Sequence, residues 1–411
     1  MVREAVFDRA GKSVVAALFV AGVPVGVITP RMAEIKAGIE ATSGQFGTAF
    51  AFGALGALIG NYFGARAVHR YGTRAVARNI FIFALFQNFA NAIVPNVEFL
   101  GLNSVFGGLI YSMMFVAINS QGVLVEQHRG KSFMPLAHGY FSLGAFLSAL
   151  ISSLIAPYFS VKSTLLVADI LCIFAWYVAS HGLLPTKYDD RPHDDPTQLQ
   201  KNEKIPVDAM KFLIFIALAQ TLSLWAEMSV GDWSSVLLHE DFKIAIGPNG
   251  YGFTVFVIVQ LLTRYFTPRF VDKHGLHHVV RRMGFIGSSG YLAFLIAATY
   301  AAQTSATWAL IFSCFAYGFI SFGLAAMAPA FASAAGSIPR LPSARALMVI
   351  GMISAVALLV VRILLSYFAQ ATSLPFALLL MGISVAGAAM CSGLLDPKRV
   401  QSHAINREGR A

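Results

Sequence analysis

The chain has 411 residues, of which only 12% are Asp, Glu, Lys or Arg and 57% are hydrophobic. A soluble domain normally has about 25% charged residues, so this composition excludes an ordinary water-soluble fold and indicates a chain solvated mainly by lipid. The formal net charge of +10 does not indicate a nucleic-acid partner, because the basic residues are scattered over separate loops without a recognition motif.

Apolar runs between charged or proline-bearing breaks predict about twelve membrane helices, each long enough to cross about 30 Å of hydrocarbon. The runs do not alternate polar and apolar residues, as the strands of a membrane β-barrel would. The predicted fold class is therefore all-α. In chain order the predicted spans are 13–30, 46–65, 79–95, 99–123, 134–157, 163–184, 209–231, 249–267, 283–301, 306–332, 346–368 and 374–394.

The basic residues indicate how the spans are oriented, because short cytoplasmic loops are enriched in Lys and Arg. If the chain starts inside, cytoplasmic segments hold 25 of the 30 Lys and Arg residues, four lie on the opposite side and Arg362 lies within a span. We therefore expect a multi-pass protein of the cytoplasmic (inner) membrane with both termini in the cytoplasm. The charged, proline-containing segment 187–208 predicts a solvated linker between six-helix halves at 1–186 and 209–395, with a cytoplasmic tail at 396–411.

Two loops carry the same basic pattern. The loop after the second span reads ARAVHRYGTRAVAR from Ala65, and the loop after the eighth span reads PRFVDKHGLHHVVRR from Pro268. The two loops align at an offset of 203 residues, which predicts an internal duplication of a six-span unit. The aligned residues are His69, Arg70 and Gly72 in the first loop and Asp272, Lys273 and Gly275 in the second.

The first loop resembles the motif G-x-x-x-D-R-x-G-R-R that the major facilitator superfamily carries between spans 2 and 3. Ala65 stands at the first Gly and His69 at the Asp, whereas Arg70, Gly72 and Arg74 match. The resemblance implies two parallel six-helix repeats around a central substrate site. It also implies a charged clasp at cytoplasmic helix ends that favours the outward-facing state. The alternative explanation of the arginines is positive-inside anchoring alone.

A narrower resemblance lies in INSQGVLVEQHRGKSFMPLAHGYFSLGA, from Ile118, and in AEMSVGDW, from Ala226. Both stretches resemble the fucose-permease-like branch and its bacterial members similar to the rhizopine transport protein MosC, which implies a sugar-like or cyclitol-like solute. The chain departs from this branch at Phe115, where relatives often have an acid implicated in proton coupling, and at Gln121, where relatives can have Glu. The matching residues are Asn119, Gly122, Glu126, Lys131, Pro135, His138, Gly139, Ser142, Leu143, Gly144, Ala226, Glu227, Ser229, Asp232 and Trp233.

Glu227 and Arg362 lie within apolar spans, where an ionised side chain costs at least about 2.5 kcal/mol and usually has a partner or a polar cavity. Glu227 follows Lys211 by 16 residues and Arg362 follows Arg345 by 17. At about 1.5 Å per residue, both lie about 24 to 26 Å from the cytoplasmic face. We expect them in the central cavity, as a direct pair or as two poles for a polar substrate. The alternative is that Arg362 snorkels outward and Glu227 caps its helix.

Polar and aromatic residues of spans 4 and 7 are further candidates, because the resemblance implies that these spans line the cavity. Amides can hydrogen-bond sugar hydroxyls while aromatic faces stack on the ring. Amides can equally join helices. These candidates are Asn119, Gln121, Tyr111 and Trp225.

Three titratable residues could carry a proton or hold the helices together. Asp169 in span 6 is explained either by a local hydrogen bond or by a coupling role. Glu126 lies one turn from Arg129 and near the arginine-rich loop, which favours a structural clasp over proton carriage. His138 could titrate near neutrality or pack as a hydrogen-bonded side chain.

Asp232 and Trp233 stand at the predicted outer end of span 7. A helix-end hydrogen bond and an interfacial tryptophan would explain them, with a gating role as the alternative.

The sequence predicts a transporter that rocks two halves around a central site. The transporter is expected to be secondary and not driven by a nucleotide, since the sequence has no phosphate-binding loop. The expected partners are a small polar substrate, protons and the lipid bilayer, and the chain is expected to act as a monomer. An enzyme, a cofactor and a metal site are not expected, because no nucleophile has an adjacent base and His277 and His278 lack partners at ligand spacing. Efflux of amphipathic compounds and a ligand sensor without transport are the open alternatives.

Overall fold

The fold was obtained as a computed structural model that describes residues 2–130, 133–188, 205–339, 341 and 343–402. Within these ranges the chain is helical and contains no strand. The prediction of an all-α membrane protein is confirmed. Most of the predicted linker, 189–204, and most of the predicted tail, 403–411, lie outside the described residues.

Sixteen α-helices follow one another in the described part of the chain, joined by short turns. They are α1 (Val2–Ile28), α2 (Met32–Gly38), α3 (Ser43–Ala51), α4 (Gly53–Tyr71), α5 (Thr73–Ile93), α6 (Val97–Arg129), α7 (Met134–Ile155), α8 (Val161–Ala179), α9 (Val207–Val236), α10 (Tyr251–His274), α11 (Leu276–Ala301), α12 (Ala306–Leu324), α13 (Met327–Gly336), α14 (Ser343–Ala371), α15 (Leu374–Met390) and α16 (Pro397–Ser402).

Ten of the described segments are long and apolar enough to cross a membrane. Two further helices, α5 and α10, have 21 and 24 residues. They are less apolar because α5 carries several amides and arginines and α10 carries Gln260, Arg264 and Arg269. Together these segments follow the order of the predicted spans. The second predicted span is divided between α3 and α4, and the tenth between α12 and α13.

The buried apolar side chains form two clusters. We call residues 2–188 the first half and residues 205–402 the second half. One cluster lies within the first half, where Phe81 stacks on Trp176 with 3.9 Å between ring centroids. The larger cluster fills the second half and reaches into the ends of α1 and α3. The halves therefore share apolar packing at one end of the molecule.

Trp233 belongs to this shared packing. Its ring lies 5.9 Å from that of Phe46 in α3, and only 1% of the residue is exposed. The expectation of a tryptophan at the lipid interface is therefore wrong. Because α9 continues to Val236 and packs against the first half there, Trp233 lies inside the protein.

The two loops of the sequence repeat have the same backbone conformation. Gly72 has φ 88° and ψ 154°, and Gly275 has φ 80° and ψ 146°. The amide nitrogen of each donates to the carbonyl oxygen four residues earlier, on Val68 and Val271, at 2.8 Å. A positive φ favours glycine because a Cβ would be strained there. Each glycine thus ends one long helix and begins the next, and the shared turn supports the internal duplication.

Glycine also sets the distance between α4 and α6. A Cβ on Gly56 would meet the backbone carbonyl of Val105, and one on Gly60 would meet that of Leu109. The glycines therefore let the two helix backbones approach closely, as small residues commonly do in membrane proteins.

Candidate functional site

A cavity of about 390 Å³ lies between the two halves. Its wall is contributed by α1, α2, α3, α5, α6 and α7 of the first half and by α9, α10 and α14 of the second half. The polar side chains are divided between the two walls: the first half supplies amides and a phenol, and the second half supplies charged groups. These polar lining residues are Thr29, Gln87, Asn88, Asn91, Tyr111 and Ser142 on one side and Glu227, Asp232, Gln260 and Arg362 on the other.

An ion pair dominates the wall of the second half. Arg362 in α14 donates to Oδ2 of Asp232 in α9 at 2.6 Å, and the two side chains are 12% and 13% exposed. The prediction of a helix-end hydrogen bond for Asp232 is wrong, because α9 runs on for another turn and places this carboxylate against Arg362. A buried charge that lacks a partner is costly, so each residue makes the burial of the other tolerable.

Glu227 is the second charged group of this wall. Its Oε1 accepts a hydrogen bond from Nε2 of Gln260 at 2.9 Å and lies 3.5 Å from the Arg264 guanidinium. Glu227 and Arg362 therefore line one cavity with different partners, so they do not form a direct pair. The geometry corresponds to two separate poles, and the ion pair with Asp232 holds Arg362 away from the snorkelling position.

The wall of the first half carries a row of amides on α5. Gln87, Asn88 and Asn91 are each at most 9% exposed and line the cavity. Nδ2 of Asn103 in α6 donates to Oδ1 of Asn91 at 2.8 Å and to the backbone oxygen of Gln87 at 3.0 Å. Tyr111 lies beside this row, with its ring edge-on to Phe81. This wall presents several donors and acceptors from a fixed helix.

The sequence analysis missed these three amides. Their spacing was the available signal, since residues 87, 88 and 91 fall on one face of a helix. Of the four candidates predicted in spans 4 and 7, Tyr111 lines the cavity, whereas Asn119, Gln121 and Trp225 do not.

Gln121 is fully buried in a different environment. Its Nε2 donates to Oγ1 of Thr73 at 2.6 Å and to the backbone oxygen of Leu184 at 3.1 Å. Its Oε1 accepts from the backbone nitrogen of Leu184 at 2.8 Å. Gln121 therefore joins α6 to the start of α5 and to the chain that follows α8.

Asn119 and Trp225 lie away from the cavity and have polar atoms of their own that are unsatisfied within the described chain. Oδ1 of Asn119 and Nε1 of Trp225 are both buried without a hydrogen-bond partner among the described residues. Trp225 is 5% exposed. Neither position brings its side chain to the wall of the cavity.

The titratable candidates lie in three different places. His138 in α7 is close enough to Arg264 of α10 to interact with its charge, so it lies at the boundary between the halves. Asp169 in α8 accepts the backbone N–H of Phe89 at 2.8 Å. Glu126 accepts the backbone N–H groups of Phe133 and Met134 at 2.7 and 2.9 Å, and so holds the start of α7.

The residues of the repeated loops lie at the helix ends. His69, Arg70, Asp272 and Lys273 are exposed. Arg74 donates to the backbone oxygen of His181 at 2.9 Å, which ties the start of α5 to the end of α8. The clasp implied by the motif stays a prediction.

Direct polar contacts join the two halves at one end of the cavity, which we call the bridged end. Nζ of Lys36 lies 2.7 Å from Oε2 of Glu240, and Oγ of Ser235 donates to the backbone oxygen of Thr29 at 2.8 Å. Thr29 itself lines the cavity. Further contacts at this end run from Asn249 to Pro30 and from Gly44 to Gln370. The bridged end therefore closes the cavity on that side.

Known proteins with similar sequences are transporters. The chain is 25% identical over 288 residues to the uncharacterized transporter y4wD of Sinorhizobium fredii, across 70% of this chain and 74% of that protein. It is 27% identical over 274 residues to an uncharacterized MFS-type transporter of Yersinia pestis, across 66% of each protein. These proteins are transporters and not enzymes, as the sequence predicts.

Solved structures show the same fold at low sequence identity. A mutant form of the nucleoside transporter NupG superimposes with a TM-score of 0.71 and 14% identity, covering 94% of this chain and 99% of that chain. A D-xylose-proton symporter superimposes with a TM-score of 0.72 and 12% identity, covering 93% and 96%. The family model described as Major Facilitator Superfamily matches residues 14–361. With most of its length matched, this chain belongs to the Major Facilitator Superfamily.

Proposed function

We propose that this protein is a secondary active transporter that carries a small polar solute, a sugar or a cyclitol, by alternating access and together with protons. The observation that carries the proposal is the cavity between the halves, with hydrogen-bonding amides on one wall and charged groups on the other. A volume of about 390 Å³ is suited to a small molecule, since ligand pockets measure about 300 to 1,000 Å³.

The chemistry of the walls favours a ligand with many hydroxyl groups. Amide side chains offer both donors and acceptors, so Gln87, Asn88 and Asn91 can each bind a hydroxyl in either sense. With the ion pair in place, Asp232 can accept a hydrogen bond from one solute hydroxyl while Arg362 donates to the adjacent hydroxyl. Phenylalanine rings in both walls, including Phe141 of the first half and Phe253 of the second half, offer flat apolar surface to a sugar ring.

The solutes named for similar proteins guide the choice of probes. The two fold neighbours are named for a nucleoside and for D-xylose, and both ligands carry a polyhydroxyl ring. The resemblance of two stretches to the fucose-permease-like branch adds cyclitols to this set. We therefore select D-xylose, myo-inositol and uridine as the solutes to test.

The bridged end suggests the direction of access. We infer that it faces away from the cytoplasm, because the arginine-rich loops lie at the opposite helix ends and basic loops stay inside. In this arrangement the two six-helix bundles predicted from the sequence, 1–186 and 209–395, separate around the cavity at the cytoplasmic side. Both termini and the loops with Arg70 and Lys273 then lie in the cytoplasm, in an inner-membrane monomer.

Efflux of amphipathic compounds is the second candidate function. Six Phe and Met side chains line the cavity, and such side chains adapt to varied apolar ligands. The buried ion pair argues against this candidate, because an apolar ligand would leave its charges without hydration. The lining residues in question are Met32, Phe50, Phe141, Met228, Phe253 and Phe256.

Counterflow in proteoliposomes tests the proposed function. Vesicles containing the purified full chain are loaded with unlabelled D-xylose, myo-inositol or uridine, and the uptake of the labelled solute is followed. We expect transient uptake of at least one of the three, together with a raised Tm in the presence of that solute. Uptake of tetraphenylphosphonium alone would support efflux instead, and stabilisation without any flux would indicate a sensor.

Matched variants connect the flux to the cavity. Arg362→Gln removes one pole of the charged wall, and we expect counterflow to fall by at least about tenfold because a charged hydrogen bond to solute is lost. Arg269→Gln removes an exposed arginine at the end of α10 and serves as the control. Equal activity of both variants would argue that the solute does not bind at this cavity.

A further inference from the structure

Asp169 lies at the centre of a membrane helix. It is the ninth of the 19 residues of α8 and is 3% exposed. A buried carboxylate at this depth usually has a cationic partner. Asp232 and Glu227 have such partners, Arg362 and Arg264. Within the described parts of the chain, no Lys, Arg or His forms an ion pair with Asp169, so its burial is not explained by charge compensation.

Among the described residues, the groups that interact with the charge of Asp169 are titratable side chains and not cations. Tyr111 of α6 and Cys172 of its own helix lie close enough to interact with its charge. Two arginines of the helices packed against α8 lie near the C-terminal end of α8, away from Asp169. Arg78 of α5 sits over the ring of Tyr177, which is about 12 Å further along α8, and Arg9 of α1 lies beside Gly182.

The contact of Asp169 reaches the amide wall of the cavity. Its Oδ2 accepts the backbone N–H of Phe89 at 2.8 Å, inside α5. Phe89 directly follows Asn88, which lines the cavity. Tyr111 also lines the cavity and lies within range of the charge of Asp169. One carboxylate therefore touches the helical turn that presents an amide to the ligand.

We propose that Asp169 is the proton-binding residue of the transport cycle, coupled to the solute through the Phe89 turn of α5; this inference rests on the proposed function. A proton from water binds Oδ1 while Oδ2 keeps its contact with the Phe89 N–H. The neutral acid accepts a hydrogen bond more weakly than the carboxylate does, so protonation loosens this turn and changes the position of Asn88. When the cavity opens to the opposite side, the proton leaves to water and the carboxylate re-forms.

The ion-paired carboxylates of the cavity are less suited to this role. Protonation of Asp232 would leave Arg362 as an unpaired buried charge, which is costly. Protonation of Asp169 instead removes an uncompensated buried charge. Transient neutralisation is therefore more favourable at Asp169 than at Asp232.

Asp169→Asn separates proton coupling from solute movement. The asparagine side chain keeps an oxygen for the Phe89 N–H but cannot take up a proton, so it imitates the protonated state. With the solute found by counterflow, we expect Asp169→Asn to lose uphill accumulation driven by a pH gradient, and to lose solute-dependent proton uptake measured with pyranine, while counterflow persists. Asp169→Glu should keep part of all three activities.

The outcomes distinguish the two proposals. Wild-type protein without counterflow of D-xylose, myo-inositol or uridine would contradict the proposed function. Asp169→Asn that still accumulates solute uphill with proton uptake would overturn the assignment of Asp169. Loss of counterflow in the same proportion as accumulation would also overturn it, because a purely structural residue would act in that way.

Infrared spectroscopy tests the same assignment without any solute and without the asparagine variant. Wild-type protein labelled with [4-¹³C]aspartate is placed in lipid and the pH is stepped. We expect a carboxylic-acid C=O band that titrates and that the label shifts. In labelled Asp169→Glu this band should no longer carry the label shift. A titrating band that keeps its label shift in Asp169→Glu would overturn the proposal.

Discussion

Arg362 donates to Asp232 at 2.6 Å across the boundary between α14 and α9, and both side chains form part of the wall of the central cavity. The pair lies within the second half of the chain, 130 residues apart in sequence. It therefore fixes two helices of one half to each other and presents a dipole to whatever occupies the cavity. We therefore expect both the stability of the protein and the proposed binding of solute to depend on the same two side chains.

Single substitutions of this pair should destabilise the protein more than the double substitution does. Arg362→Met leaves a buried carboxylate unpaired, at a cost of about 3 to 5 kcal/mol, and Asp232→Leu does the same to the guanidinium. The double variant Asp232→Leu/Arg362→Met removes both charges and should recover much of this loss. Thermal unfolding in lipid nanodiscs measures all three. If the losses of the single variants simply add in the double variant, the ion pair has no role in holding α9 and α14 together.

The depth of the charged residues could be predicted from the sequence, whereas their partners could not. Glu227 and Arg362 were expected at one level because the rise of a helix is constant, and both do line one cavity. Which carboxylate meets Arg362 depends on the rotation of α9 about its axis. That rotation is set by packing against the first half, through contacts such as Phe46 with Trp233, and no local pattern encodes it.

The same limit explains the amides. Hydropathy and basic loops were sufficient to predict the order of the spans, because they report the surrounding solvent. Gln121 and Asn88 are both amides in apolar helices, yet only Asn88 faces the cavity. Choosing between them requires the packing of α5 against α6 and α8, which is a tertiary property.

Breaking the Lys36–Glu240 bridge should favour opening at the bridged end. The side chains are 10% and 33% exposed, so solvent screens the pair and its contribution is about 1 kcal/mol at most. Lys36→Gln should therefore shift the equilibrium towards the state open at this end by up to about fivefold. Ser142 lines the cavity, so Ser142→Cys, made in a variant without the native cysteines, can report this opening. The rate at which an impermeant maleimide labels this cysteine measures access to the cavity.

Lys162→Gln is the matched control for this experiment, because Lys162 is an exposed lysine at the start of α8. Its labelling rate should equal that of the parent protein. Glu240→Gln should behave like Lys36→Gln. A faster rate in Lys162→Gln, or an unchanged rate in both bridge variants, would contradict a gating role of the bridge.

The two repeated turns should respond alike to alanine. Gly72→Ala and Gly275→Ala each place a Cβ on a residue with positive φ, at a cost of about 1 to 2 kcal/mol. Gly351→Ala in α14 is the control, since its Cβ would meet no atom within 4 Å and alanine is the better helix former by about 1 kcal/mol. We expect lower Tm for the first two variants and equal or higher Tm for the third. Wild-type stability of Gly72→Ala would show that this turn relaxes without its left-handed residue.

Gln121 and Asn88 should differ in which property their substitution changes. Gln121→Leu removes the two buried hydrogen bonds that Gln121 makes with the backbone of Leu184, so the free energy of unfolding should fall by about 1 to 3 kcal/mol. Asn88→Leu removes a proposed hydroxyl-binding amide from the cavity wall while the helix stays intact, so we expect solute binding to weaken at near-constant stability. Thermal unfolding and the solute-induced shift in Tm, measured on the same samples, separate the two effects. The reverse pattern, with Gln121→Leu impaired in binding alone, would place the ligand on the Gln121 side of α6 and would move the binding site away from the amide row of α5.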